Sequence, residues 1–462
     1  MTGKEKVLAA FRREPLDTPP WVPFTGVHVG KLTDTAADRL YRDGDALHEA
    51  LLEAHRLYEP NGMPAMFDLQ LEAEALGCEL MWAPKAPPMV VGHPLAQGGE
   101  FPTFDPGAGR IPLAVEAVAR LVGAVGERTA VFGLLCGPFT LASHLRGTDL
   151  FLDMFDDEDL VDRLVGRATD VALRLADLYV EAGAHVVAAV DPLVSQISPD
   201  HFERFLAAPF ARLFDHLRQR GVPSSFFVCG DATRNLEVMC RTRPDGLSID
   251  ENIDLPAAKA ITDRYQLALG GNIPLTTVML FGSQLDNMQS VIDLLDGVSA
   301  AEGVDGLRGL IVSPGCDMPF DLPLENVIAV GQAVRQPDAA RAGLQDYARA
   351  DDDVTVELPD YDALPRPLVE VFTLDADTCA ACTYMLRTVL EAKERFGTGI
   401  DVLEHKFTRR EDVARCKAMG VRQLPSIYID GELAYASIIP SRDALDAALR
   451  RALKRPRGRP SG

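Results

Sequence analysis

Short apolar runs alternate with helical stretches through the first three-quarters of the chain. No other feature restricts the fold as much. The runs fall at 21–25, 66–69, 130–135, 186–190, 225–229, 247–249, 267–270 and 309–313. Between them, apolar residues recur at three- and four-residue steps. In the longest such segment, 158–183, Leu160, Val161, Leu164, Val165, Ala168, Val171, Ala172, Leu175 and Leu178 follow this spacing, which is that of one helix face. A strand that is nearly all apolar is buried on both faces, so the runs predict a parallel sheet covered by helices. The repeat count predicts an α/β fold of the (β/α)8 TIM-barrel type rather than an open sheet. In such barrels the reacting groups sit at the C-terminal ends of the strands. Here those ends carry Asp68, Cys136, Asp191, Cys229, Asp250, Asn272 and Cys316. Cys229 and Cys316 are remote in sequence, yet each sits just past a strand, so one barrel opens both thiols on the same face. For each aspartate, a helix N-cap at a βα loop competes with a chemical role.

Composition narrows the function. Of 462 residues, 68 are acidic and 46 basic, a net charge of −22. That argues against nucleic acid or an anionic membrane as partner, because both require positive surface. No apolar run reaches transmembrane length, and the charged first fifteen residues read as a helix rather than a secretory signal. Eight cysteines in a chain this long are too sparse for a disulfide scaffold. They predict a reducing cytoplasm with functional or buried thiols.

The pattern breaks after about residue 335. The expected organisation is a barrel over 1–340, a linker rich in Asp, Ala and Pro over 341–366, a second unit over 367–455 and a basic tail over 456–462. The second unit starts with a strand at 369–373. Cys379-Ala380-Ala381-Cys382 then opens a helix. A strand at 400–406, a helix at 410–419, Pro425 ahead of a strand at 427–429, an Asp430-Gly431 hairpin turn and a helix capped by Ser441 complete it. This order resembles the thioredoxin/glutaredoxin family. A helix N-terminus lowers a thiol's pKa. Cys379 would thus be the reactive thiolate, and Cys382, nearly one turn on, closes on it. The resemblance makes Pro425 the cis-proline beside that disulfide. Ala380-Ala381 stands where Gly-Pro is common, which leaves the redox poise open. The competing reading is a structural metal site or an inert domain.

The first 340 residues resemble the uroporphyrinogen decarboxylase superfamily, and within it the branch that moves methyl groups between corrinoids and thiols or methoxylated substrates. The resemblance rests on boxes in order: Trp21-Val22-Pro23-Phe24, Asp68 with 72–77, Gly137-Pro138-Phe139-Thr140-Leu141, Asp191-Pro192 with Ile197-Ser198-Pro199, Cys229-Gly230, Gly271-Asn272-Ile273-Pro274, and Ser313-Pro314-Gly315-Cys316. It implies a small-molecule substrate and a corrinoid carried by a separate protein, since this chain lacks Asp-x-His-x-x-Gly. In the thiol-methylating members, zinc is held by a His-x-Cys pair and the Cys of the Pro-Gly-Cys box. Cys229 and Cys316 match two of these ligands, but Phe227 stands at the histidine position. A zinc site would need replacements from Asp191, Asp250, Glu251, His28 or His144. Without metal, Cys229 and Cys316 read as a redox pair. Asp68, Asp191 and Asp250 are the expected acid/base or positioning groups, and Asn272 a hydrogen-bond donor to substrate. A decarboxylating lyase and a non-catalytic metal- or thiol-handling protein are the alternatives. The lyase fits less well, because 24–31 contains no arginine where the decarboxylases carry one. The oligomeric state is left open.

Overall fold

The computed structural model describes residues 1–455 apart from 346, 348–353, 355, 375–379, 422 and 437–438. The chain divides into two compact units, Met1–Ala348 and Arg349–Gly462.

In the first unit, β1 (Gly62–Pro64) precedes a two-stranded antiparallel excursion, β2 (Glu79–Ala83) and β3 (Ala86–Gly92). Six strands follow: β4 (Ala130–Cys136), β5 (Val186–Val190), β6 (Ser224–Val228), β7 (Gly246–Ile249), β8 (Ala268–Ile273) and β9 (Leu310–Pro314). They pair in the order β1-β4-β5-β6-β7-β8-β9, every pair parallel. All residues of β4 to β9 are buried, which is why these strands read as unbroken apolar runs. The extended Pro20–Val22 segment bonds to both edges of the sheet. Val22 N–H donates to Val312 O at 2.9 Å and Val312 N–H to Pro20 O at 2.9 Å. On its other side Asn61 N–H donates to Trp21 O at 2.9 Å. The arrangement is that of a TIM-type barrel.

Two sequence-based strands shift. The strand expected at 66–69 lies earlier, at Gly62–Pro64, and Met66 to Leu69 form the following loop. The β1–β4 pairing runs to Pro64 and Phe132, with Ala65 N–H donating to Phe132 O at 3.2 Å, and Asp68 Oδ1 then turns the chain by accepting from Gln70 N–H at 2.8 Å. In the run 21–25, Trp21 forms the bridge to Val312, and the chain then enters a 3₁₀ turn at Gly26–His28. The long helix over 199–220 forms as Pro199–His201, a π-helical turn Phe202–Leu206 and Ala207–Gln219.

The barrel is filled by Phe24, Phe67, Phe132 and Phe227 with smaller apolar side chains. At the floor, where the strands begin, buried charges pair. Asp263 Oδ1 accepts from Arg13 Nη1 at 2.5 Å and Lys259 Nζ at 2.5 Å, and its Oδ2 from Asp305 N–H at 2.8 Å.

The second unit is a four-stranded mixed sheet. Its strands are β10 (Leu368–Thr373), β11 (Asp401–Lys406), β12 (Ser426–Ile429) and β13 (Glu432–Ala436), in the order β11-β10-β12-β13. β10 and β11 are parallel, and the other pairs antiparallel. Helices Ala380–Phe396, Arg410–Met419 and Arg442–Ala452 accompany them. Ser441 caps the last helix by accepting from Ala444 N–H at 3.3 Å. Asp430 and Gly431 take positive φ, 50° and 78°, and make the hairpin turn. The Leu424–Pro425 peptide is cis. Buried Glu370 is neutralised within the unit by Arg415 Nη2 at 2.6 Å and His405 Nε2 at 3.0 Å.

Candidate functional site at the barrel mouth

Cys136 and Asn272 lie in the last residues of β4 and β8, Asp191, Cys229, Asp250 and Cys316 just after β5, β6, β7 and β9, and Asp68 in the loop after β1. Cys229 follows β6 and Cys316 follows β9, strands that are not neighbours. Their sulfurs meet across the mouth as a disulfide, with Cα atoms 5.9 Å apart, inside the usual range. Two glycines make the approach feasible. Gly230 adopts φ 84°, a region that few other residues enter. Gly315 packs so closely on the Glu251 backbone that a side chain there would collide. Gly230 N–H also donates to Asp250 Oδ2 at 2.8 Å, which fixes the turn after Cys229.

Asp191 is fully buried after β5. Its Oδ2 accepts from Phe139 N–H at 2.9 Å, and its Oδ1 from Thr140 N–H at 3.1 Å and the Thr140 hydroxyl at 2.6 Å. It therefore caps the neighbouring helix Pro138–Arg146, and burial pushes its carboxyl up to about 7. Asp250 Oδ1 accepts from Asn252 N–H at 2.9 Å, and burial raises this carboxyl too. Asp68 is buried against Arg110 Nη1, and Arg110 Nε also reaches Glu74 at 2.8 Å. The Arg110 guanidinium stacks 4.7 Å over the Trp82 ring. Asn272 donates both amide hydrogens to backbone, to Asp250 O at 2.8 Å and Ile253 O at 2.7 Å. The donors expected to face a substrate thus hold the loop after β7 instead.

Further carboxyls share this end of the barrel. Burial pushes Glu251 up to about 8, with the charge of Asp250 adding to it. Glu72 has no exposed surface. Its Oε1 accepts from Cys136 N–H at 2.7 Å while Oε2 has no partner among the described residues, and burial pushes it up to about 8. Asp317 lies against Gly26, where any side chain would collide with it. Burial, then the charge of Asp68, push it up to about 8. Among the described residues, Asp317 is the mouth carboxylate that accepts no hydrogen bond. Glu72 sits in a stretch the sequence analysis had already marked, and Asp317 adjoins Cys316. Arg110 carried no signal, because its partner Asp68 is distant in sequence.

The zinc expectation fits poorly. Phe227 faces the interior, its ring 4.7 Å from Phe24 and 5.8 Å from Phe67. Both nitrogens of His28 are engaged, Nε2 with the Tyr58 hydroxyl at 2.6 Å and Nδ1 with Phe320 O at 3.3 Å. Burial holds His28 down to about 4 and His144 down to about 3. Among the described residues, no three His, Cys, Asp or Glu side chains gather to hold a metal ion. The residues present do not make a zinc site.

In the second unit, Cys382 is buried, and Leu374 N–H points at its sulfur at 3.3 Å. Cys379 lies outside the described residues. Among the described residues no helix is long and apolar enough to cross a membrane.

The sequence model of the uroporphyrinogen decarboxylase (URO-D) family matches residues 2–337. The chain belongs to that family. It is 26% identical over 337 residues to methylcobamide:CoM methyltransferase MtbA of Methanosarcina acetivorans, covering 71% of this chain and 95% of that relative. It is 30% identical over 343 residues to methylcobamide:CoM methyltransferase MtaA of Methanosarcina barkeri, covering 71% and 96%. Among solved structures, a methyltransferase from Methanosarcina mazei superimposes with a TM-score of 0.65 at 27% identity, covering 75% of this chain and 99% of that one. These relatives are matched along nearly their full length.

Proposed function

We propose that the barrel unit is a corrinoid-dependent methyltransferase acting on a thiol or methoxylated small molecule. The corrinoid would be carried by a separate protein and would supply or take up the methyl group. One observation carries this reading: the sequence matches methylcobamide:CoM methyltransferases along nearly their whole length. The barrel mouth, with its sulfurs and buried acids, supports it.

Methylating a thiol forms a carbon–sulfur bond and releases the thiol proton, so the mouth needs a proton acceptor. Asp317 suits that task by geometry, because no donor of the described residues occupies it. Asp191, Asp250 and Asn272 act as positioning residues that hold the segments after β4, β6 and β7. Arg110 holds Asp68, whose charge reaches Asp317. No step is assigned to zinc.

We further read the second unit as a thioredoxin-like thiol–disulfide domain. The support is its mixed four-stranded sheet and the place of Cys382 in the first turn of helix Ala380–Phe396, three residues after Cys379 in the sequence.

The test is methyl transfer from free methylcobalamin to a panel of small thiols, followed by loss of the methyl–cobalt absorbance. Turnover is expected, with Asp317→Asn lowering kcat by about 10²-fold while KM changes little. No demethylation with any thiol would overturn the reading. Carbon dioxide released from uroporphyrinogen in its place would make the chain a lyase.

A further inference from the structure

We infer that Cys229 and Cys316 are a redox-cycling dithiol–disulfide pair, a thiol-exchange site built into the barrel mouth. Three observations converge on it. The two sulfurs are joined although their strands are not adjacent. The position that would complete a metal site holds Phe227, locked between Phe24 and Phe67, and no metal-holding cluster exists among the described residues. The two thiols also differ in access. Cys229 is only 7% exposed, whereas Cys316 is half-buried at the rim.

That asymmetry sets the direction of exchange, because attack needs access to the sulfur. A thiolate of an incoming dithiol attacks Cys316 Sγ. The Cys229–Cys316 bond breaks, and Cys229 leaves as a thiolate that takes up a proton. The dithiol's second thiol then attacks its own sulfur in the mixed disulfide, which frees Cys316 as a thiol. Two electrons pass to the pair, and the dithiol becomes a cyclic disulfide. Reoxidation by a small disulfide runs the same steps backward. Each cysteine adjoins a strand held by its own ladder, β6 between β5 and β7 and β9 against β8, so opening the bond leaves the barrel intact.

The inference does not depend on the methyl-transfer reading, and its test needs no methyl donor. The full-length chain carrying Cys379→Ser and Cys382→Ser removes the second unit's motif as a source of exchange. It is equilibrated with mixtures of reduced and oxidised dithiothreitol, trapped with iodoacetamide and read by peptide mass spectrometry. Bound zinc is counted on the reduced protein after incubation with zinc and desalting. Cys229 and Cys316 are expected to lose and gain alkylation together, as one two-electron step. Cys240 and Cys416, both buried thiols, should not join it. The reduced protein should hold far less than one zinc per chain and keep its cooperative thermal transition. Three results would each overturn the inference: stoichiometric zinc that shields both thiols, a disulfide that no dithiothreitol ratio opens in the folded state, or a pair that never forms. Stoichiometric zinc would sink the redox pair and leave the methyltransferase reading standing.

Discussion

The floor and the mouth of the barrel treat buried charge in opposite ways. At the floor, burial alone would raise Asp263, yet hydrogen bonds from Lys259, the Asp305 N–H and Arg13 hold it below the usual carboxylate range. At the mouth, burial pushes Asp191, Glu251, Asp317 and Glu72 up, and among the described residues no cation hydrogen-bonds to them. Asp68 differs from these in being paired with Arg110. Charges that cancel locally serve the fold. Acids kept without a counter-ion destabilise the fold and are what a reactive site requires. The second unit repeats the floor's solution in Glu370, with Arg415 and His405.

The sharpest way to break this contrast is at the floor. Asp263→Ala leaves Arg13 and Lys259 buried without their shared partner, and should lower the unfolding free energy by about 3–5 kcal/mol in urea denaturation. A loss under about 1 kcal/mol would mean that the floor's ion cluster contributes no more than a surface pair. Next comes Phe227→His. It exchanges a packed ring for a buried imidazole and should cost about 2 kcal/mol in the metal-free protein. It also supplies the missing ligand type, so zinc bound by the reduced variant should rise toward about one per chain, counted by elemental mass spectrometry.

A smaller effect tests the mouth itself. The unfolded reference for Glu72 is 4.5 and its folded value about 8. Across that window the folded chain keeps a proton that the unfolded chain releases, so stability falls as pH rises. Glu72→Gln mimics the protonated acid. It should change little at pH near 5 and raise Tm by a few degrees at pH near 8, flattening the Tm–pH curve; an unchanged slope would show that Glu72 is not held protonated. The smallest effect belongs to the exposed Arg204, paired with Glu158 and Asp162. Arg204→Ala should cost less than about 0.5 kcal/mol, and 1 M salt should erase the difference.

Most of the barrel was legible because its strands are buried on both faces, so each reads as a continuous apolar run. The exceptions have local causes. β1 is only three residues long and gives way to the turn that Asp68 makes with Gln70 N–H, and Pro20–Val22 is too short for periodicity to register. At the site, the meeting of Cys229 with Cys316 was readable from their places after strands. The use of Asn272 was not, because a side-chain amide that bonds backbone carbonyls depends on how two loops fall in space. Arg110 was missed for the same reason. It comes from a glycine-rich loop and meets Asp68 through tertiary packing alone.

The stitch at Pro20–Val22 has a consequence for biosynthesis. These residues leave the ribosome long before the strand they join at Val312, which is made near the end of the barrel. The ring stays open while most of the unit is translated, so an exposed seam accompanies the nascent chain. A pause before β9 would lengthen that interval, and a chaperone holding the open edge would shorten the time it is at risk.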